Sequence, residues 1–144
     1  MEFEDVKVGD RLPPIQRIIR LANMVAYGAA TWDFIRLHYD IEYAKAIGLN
    51  APVVDGQMFG AYLSQLVLSW TGPRAFIRKL SFQNRGMVFP GDQISCYGVV
   101  KSTSEIRGDF LVECDLWIDN QKNERVVYPA QALVHLSCRK GPNA

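Results

Sequence analysis

The sequence predicts an α+β fold in which an antiparallel sheet wraps a long central helix, and three observations carry that expectation. The stretch from Asp55 to Gly72 has no charged side chain after its first residue. Within it Phe59, Leu63, Leu66 and Trp70 recur at helical spacing, with Met58, Tyr62 and Val67 on the neighbouring face. A helix apolar almost all round has to be enclosed, and at about 1.5 Å per residue this one runs to roughly 25 Å, too much surface for one flat layer. The third observation is that the period becomes two after Pro73, in four stretches: 76–82, 93–100, 109–119 and 124–136. The third of these alternates Phe110, Val112, Cys114, Leu116 and Ile118 with Glu113, Asp115 and Asp119, the pattern of a sheet wetted on one side.

Each element follows in order. Residues 6–10 read as a turn leading into Leu12-Pro-Pro-Ile15, and the two prolines allow a strand only after them or at an edge, so a short strand is placed near 15–20. Leu21, Met24, Val25 and Ala29 predict a short helix over 21–31, weakened by Gly28. Residues 31–40 have no clean period. A small helix over 41–47 follows, with Asp40 as cap and Gly48 as stop. Asp55 caps the central helix and Gly72-Pro73 ends it. Pro90-Gly-Asp92, Gly108-Asp109 and Asp119 to Asn123 are turn signals whose short connections suit antiparallel neighbours. Pro129 marks a bulge or an edge in the last strand.

At 144 residues, about half of them apolar, the chain has the size of one domain, and a single domain over 1–144 is expected. Sixteen lysines and arginines against fifteen aspartates and glutamates give no reason to expect nucleic acid or an anionic membrane as partner. Gln57, Ser64, Gln65 and Ser69 interrupt the apolar helix, which is too short for a bilayer span, so no membrane anchoring is expected. The acidic start, Met1 to Asp5, lacks the apolar core of a signal peptide, which implies a cytoplasmic protein. Cys96, Cys114 and Cys138 have no C-x-x-C spacing and read as reduced strand residues.

Few residues are equipped for chemistry. Two histidines exclude a multi-histidine metal site, and neither a phosphate-binding nor a dinucleotide glycine motif is present, so no cofactor is expected. Asp33 and His38 are five residues apart, roughly 140° on a straight helix, and converge only if the segment bends. Such a pair can hold a water between a carboxylate and an imidazole and move protons to and from it. From spacing alone, a boundary histidine and a capping aspartate are the plainer reading. His135, between Val134 and Leu136, reads as a surface or interface histidine. Asp40 and Asp55 read first as caps. Arg74, Arg78, Lys79 and Arg85 read as a solvated face, with the phosphates of a ligand as the other possibility.

The segment Ala30-Thr-Trp-Asp33-Phe-Ile-Arg-Leu-His38-Tyr-Asp40, followed by Ala44 to Leu49 and Asp55-Gly-Gln-Met58, resembles the MaoC-like (R)-specific enoyl-CoA hydratases. That family reads Tyr-x-x-x-Ser-Gly-Asp-x-Asn-Pro-(Ile/Leu)-His-x-Asp, then Ala-x-x-x-Gly, then His-Gly-Met. The likeness extends to Trp70-Thr-Gly-Pro73 and Val88-Phe-Pro-Gly-Asp92, and it implies a hotdog fold. It places Asp33 and His38 on the family's catalytic dyad, and Tyr27 and Gly56 at substrate-binding positions. It further implies an acyl-CoA thioester substrate and a homodimer, or a heteromer with another hotdog chain. Ile35-Arg36 stands where the family has Asn-Pro, Thr31-Trp32 where it has Ser-Gly, and Asp55 where it has histidine. The pattern also resembles small subunits of two-chain steroid side-chain hydratases. Hydration of a 2-enoyl thioester is the expected reaction. The alternatives are a hotdog thioesterase using Asp55 and a noncatalytic partner subunit.

Overall fold

The charge-free stretch forms the longest helix of the chain, α3, over Gly56–Thr71, in a computed structural model that describes residues 1–138. The Asp55 carboxylate accepts the Gln57 N–H at 2.8 Å, closing the first turn, and the chain leaves through Gly72 in a left-handed conformation, φ 85°. Met58, Phe59, Leu63, Leu66 and Val67 are buried, and the helix touches all five strands of one antiparallel sheet. Burying apolar side chains of this size stabilises by roughly 1.5–3 kcal/mol each. Leu63 is fully enclosed. Leu63→Ala is therefore expected to cost about 2–5 kcal/mol, read as a lowered midpoint in thermal or denaturant unfolding.

Enclosure is not complete, contrary to the sequence expectation. Ala61, Gln65, Leu68 and Ser69 face outward along an open groove of about 770 Å³. The small or polar Ala61, Ser64, Gln65 and Ser69 gather on this stripe, where the chain's own sheet does not reach.

The sheet comprises β1 (Arg11–Ile18), β2 (Phe76–Asn84), β3 (Gln93–Ile106), β4 (Asp109–Asn120) and β5 (Arg125–Leu136), in the spatial order β1-β3-β4-β5-β2. Every neighbouring pair is antiparallel. With α3 packed in its concave side, this is the hotdog arrangement. In β4, Val112, Cys114, Leu116 and Ile118 point inward, while Glu113, Asp115, Trp117 and Asp119 stay half-exposed.

Several boundaries differ from the sequence expectation, each for a physical reason. β1 begins at Arg11 and ends at Ile18, so it contains both prolines. It tolerates them because it is an edge strand, with a register shift between Leu12 and Ile15 where two ladder donors are missing. β3 runs six residues beyond Val100, through the polar run Lys101 to Ile106, and turns back at Arg107-Gly108, both with positive φ. Pro129 lies in an interior strand, and both ladders skip past it, so it marks a bulge rather than an edge. Cys138 lies just beyond β5 rather than in a strand, and its thiol donates to the Glu4 carboxylate at 2.8 Å. Cys96 and Cys114 do sit in strands, where burial pushes each thiol up to about 12. No helix among the described residues is long and apolar enough to cross a membrane.

Candidate active site

The helix predicted over 21–31 is α1, Leu21–Thr31, and its glycine has a use. A side chain on Gly28 would come within 2.7 Å of the Asp33 carbonyl oxygen, and the Gly28 carbonyl accepts the Asp33 N–H at 3.0 Å. The absent Cβ lets the chain fold back over the end of α1. Trp32 completes the reversal in a left-handed conformation, φ 58°, that residues other than glycine seldom adopt, and the residue is 82% exposed. Asp33 is thus delivered onto a bend and not onto a helix. Its Oδ1 accepts the Ile35 N–H at 3.1 Å, which leaves the second oxygen free.

A short 3₁₀ turn, Arg36–His38, then carries the histidine round. The His38 Nδ1–H donates to the Val53 carbonyl at 2.8 Å. A carbonyl can only accept, so the ring orientation is set and Nε2 is left facing away from that bond. Asp40 caps α2, Ile41–Ala46, as predicted, and the Tyr43 N–H it accepts, followed by the Arg36 guanidinium, holds its carboxyl below the usual carboxylate range. That role is structural.

The bend brings together what the spacing alone leaves apart. Asp33, His38 and Asp55 each place one side-chain ligand atom within 4.8 Å of the other two, all three half-buried. Asp55 reads from the sequence as a cap, and it is one. Its Oδ1 holds the Gln57 N–H, while Oδ2 is buried and has no hydrogen-bond partner. Tyr27 lies beside this group, half-buried; burial raises its phenol pKa, and the charges of Asp55 and Asp33 raise it further. Tyr27 therefore stays a protonated donor next to two carboxylates.

Gly56 directly follows Asp55, and as the first helical residue its N–H has no intrahelical acceptor. A Cβ there would come within 2.1 Å of the Asn84 side-chain nitrogen, so the amide at the end of β2 lies against the helix start. Asn84 carries no signal in the sequence, because it meets Gly56 only through the sheet. Asp33, His38 and Asp55 are also the one set among the described residues able to hold a metal ion. Ligands round a zinc ion, at about 2.1 Å each, stand roughly 3.4 Å apart, whereas acceptors round a water, at about 2.8 Å each, stand roughly 4.6 Å apart. Separations that all lie within 4.8 Å admit either.

The other candidates lie elsewhere. His135 is on the outer side of β5, 3.7 Å from Asp109. Arg74, Arg78, Lys79 and Arg85 are exposed; Arg74 pairs with Glu2, and Arg78 with Asp109 at 2.8 Å.

The family model of the MaoC-like domain matches residues 6–117, a span that includes Tyr27, Asp33, His38, Asp55 and Gly56. The chain is 27% identical over 129 residues to the mitochondrial 3-hydroxyacyl (acyl-carrier-protein) dehydratase of Arabidopsis thaliana, covering 88% of this chain and 75% of that protein. It is 27% identical over 116 residues to the fatty acid synthase subunit beta of Gibberella zeae, covering 79% of this chain and only 5% of that much longer protein. The R-hydratase PhaJ1 from Pseudomonas aeruginosa superposes with a TM-score of 0.87 at 18% identity, over 96% of this chain and 86% of that one. The ChsH1-ChsH2 complex from Mycobacterium tuberculosis superposes with a TM-score of 0.78 at 24% identity, over 92% of this chain and 98% of the matched one. At these identities the superpositions carry the fold.

Proposed function

The chain belongs to the MaoC-like domain family, and on that premise we propose that it is a hydro-lyase adding water reversibly across the C2–C3 double bond of a 2-enoyl-CoA thioester. One observation supports this reading above the others: Asp33 and His38 converge beside the free N–H at the start of α3. Asp33 takes a proton from water as the oxygen adds to C3. The charge that develops on the thioester oxygen is met by the Gly56 N–H and the positive end of the helix dipole. The proton that C2 takes is delivered through His38 Nε2, and the proton that Asp33 took from the water replaces it through solvent. Water is consumed, and no other reactant is needed. Tyr27, a donor beside the two carboxylates, is taken as a substrate-binding residue.

The test is a panel of 2-enoyl-CoAs of different acyl length followed at the absorbance of the conjugated thioester, with free CoA measured in parallel with DTNB. Loss of conjugation without release of CoA is the expected result. Release of CoA in step with loss of substrate would instead favour the thioesterase reading, for which Asp55 supplies the acid.

The active form is proposed to contain a second hotdog chain. β1 and β2 are open edges, and the groove along Ala61, Leu68 and Ser69 leaves one stripe of α3 uncovered. Light scattering at micromolar concentration is expected to give at least a dimer, either alone or after addition of a second hotdog subunit. A fully active monomer rules this out.

A further inference from the structure

We infer that Asp55 is a positioning residue for the reacting water, which it holds together with Asp33 so that His38 is left to act at C2; this rests on the hydration reading above. The argument is a count of donors and acceptors. Asp33 and Asp55 each spend one oxygen on a backbone N–H and keep the other, and His38 spends Nδ1 on the Val53 carbonyl and keeps Nε2. One ligand atom of each of the three residues lies within 4.8 Å of those of the other two. The unspent oxygen of Asp55 is buried without a partner, a position that is costly unless something donates to it.

A water has two hydrogens. If only the dyad were present, one would go to Asp33 and the other to His38 Nε2, and a ring nitrogen that accepts from the water cannot at the same moment present a proton to C2. Asp55 removes that conflict. The two carboxylates take the two hydrogens, the water oxygen keeps its lone pairs for C3, and Nε2, held in its direction by the bond from Nδ1 to the Val53 carbonyl, is left for the substrate. Asp55 does this because it is an N-cap, since capping uses one carboxylate oxygen and fixes the direction of the other. Asp55 therefore adds a second acceptor to the water site without disturbing the helix start.

Substitutions that keep the cap and remove the free carboxylate oxygen test this. Asp55→Asn and Asp55→Ser both retain an oxygen able to accept the Gln57 N–H, so their thermal midpoints should stay within a few degrees of wild type. The expected result is a fall in kcat of about 10- to 10²-fold, the scale of a misplaced reactant, with KM within about twofold, and partial recovery in Asp55→Glu. Wild-type kcat in both Asn and Ser variants overturns the inference, as does a fall that tracks a lowered thermal midpoint, which would leave only the cap. Wild-type activity that is lost in EDTA and restored by Zn²⁺ also overturns it, because the three groups would then be ligands of a cation. An active wild type with unchanged variants sinks this inference alone, whereas a wild type that hydrates no enoyl-CoA in the panel sinks the hydration reading and this inference with it.

Discussion

Asp33→Asn and His38→Gln each lower hydration of a 2-enoyl-CoA by about 10²-fold or more, the usual scale for general acid–base groups, with the fold intact. Both side chains are half-buried on a bend outside the core, and neither carries a helix or a strand ladder. In Asp33→Asn the amide oxygen would still accept the Ile35 N–H, so the local turn should survive while the proton acceptor is lost. In His38→Gln the new amide can reach toward the Val53 carbonyl but cannot shuttle a proton at neutral pH. The measurement is kcat on a substrate the wild type turns over, together with circular dichroism to establish folding. Near-normal turnover in both variants would remove the dyad from the mechanism.

Gly56→Pro carries the second large expectation. Proline is accepted at the first helical position, where no intrahelical donor is needed, so the variant can fold while losing the N–H that would meet the thioester oxygen. Loss of one such donor typically costs about 10²–10³ in turnover. Gly56→Ala keeps the donor, but its methyl would occupy the place of the Asn84 amide, which must swing aside. As that amide is the far end of a flexible side chain, the alanine variant is expected to fold and to lose activity only modestly, mainly through disturbance of the oxygen site. The order in kcat is wild type, alanine, proline. If folded Gly56→Pro and Gly56→Ala variants turn over equally fast, the thioester oxygen is held elsewhere.

Much of the fold was legible because it rests on periodicity. The charge-free run marks α3, the twofold alternation marks β2 to β5, and Asp40 and Asp55 announce their helices as caps. What periodicity could not place was decided by geometry between distant residues. The polar run Lys101 to Ile106 has no inward alternation, yet it pairs with β4 as the outer end of a long hairpin. Pro13 and Pro14 argue against a strand until the strand is known to be an edge. At the site, Asp33 and His38 were legible as residue types and through the family pattern. Their convergence depends on Gly28 and on the left-handed Trp32, neither of which announces a bend in advance. Asp55 had a sufficient explanation as a cap, which concealed its second oxygen. Asn84 was invisible because only sheet closure brings it to Gly56.

The bond from His38 to the Val53 carbonyl has a mechanical side. Val53, Val54, Asp55 and Gly56 are consecutive: the first anchors the imidazole, the second donates its N–H to the Val88 carbonyl at 2.9 Å, the third caps the helix, and the fourth presents the free N–H. Four residues of main chain therefore act as a ruler between the imidazole and the free N–H at the helix start, and Val88, fully buried, pins the ruler to the core. The histidine end of the bend is tied to this ruler twice, through the imidazole and through the Leu37 carbonyl, which accepts the Val53 N–H at 3.1 Å. Asp33, at the other end of the bend, bonds only to its own neighbourhood, through the Gly28 carbonyl and the Ile35 N–H. It is the member of the site not bonded to the ruler, so its distance from the imidazole is set by the bend alone.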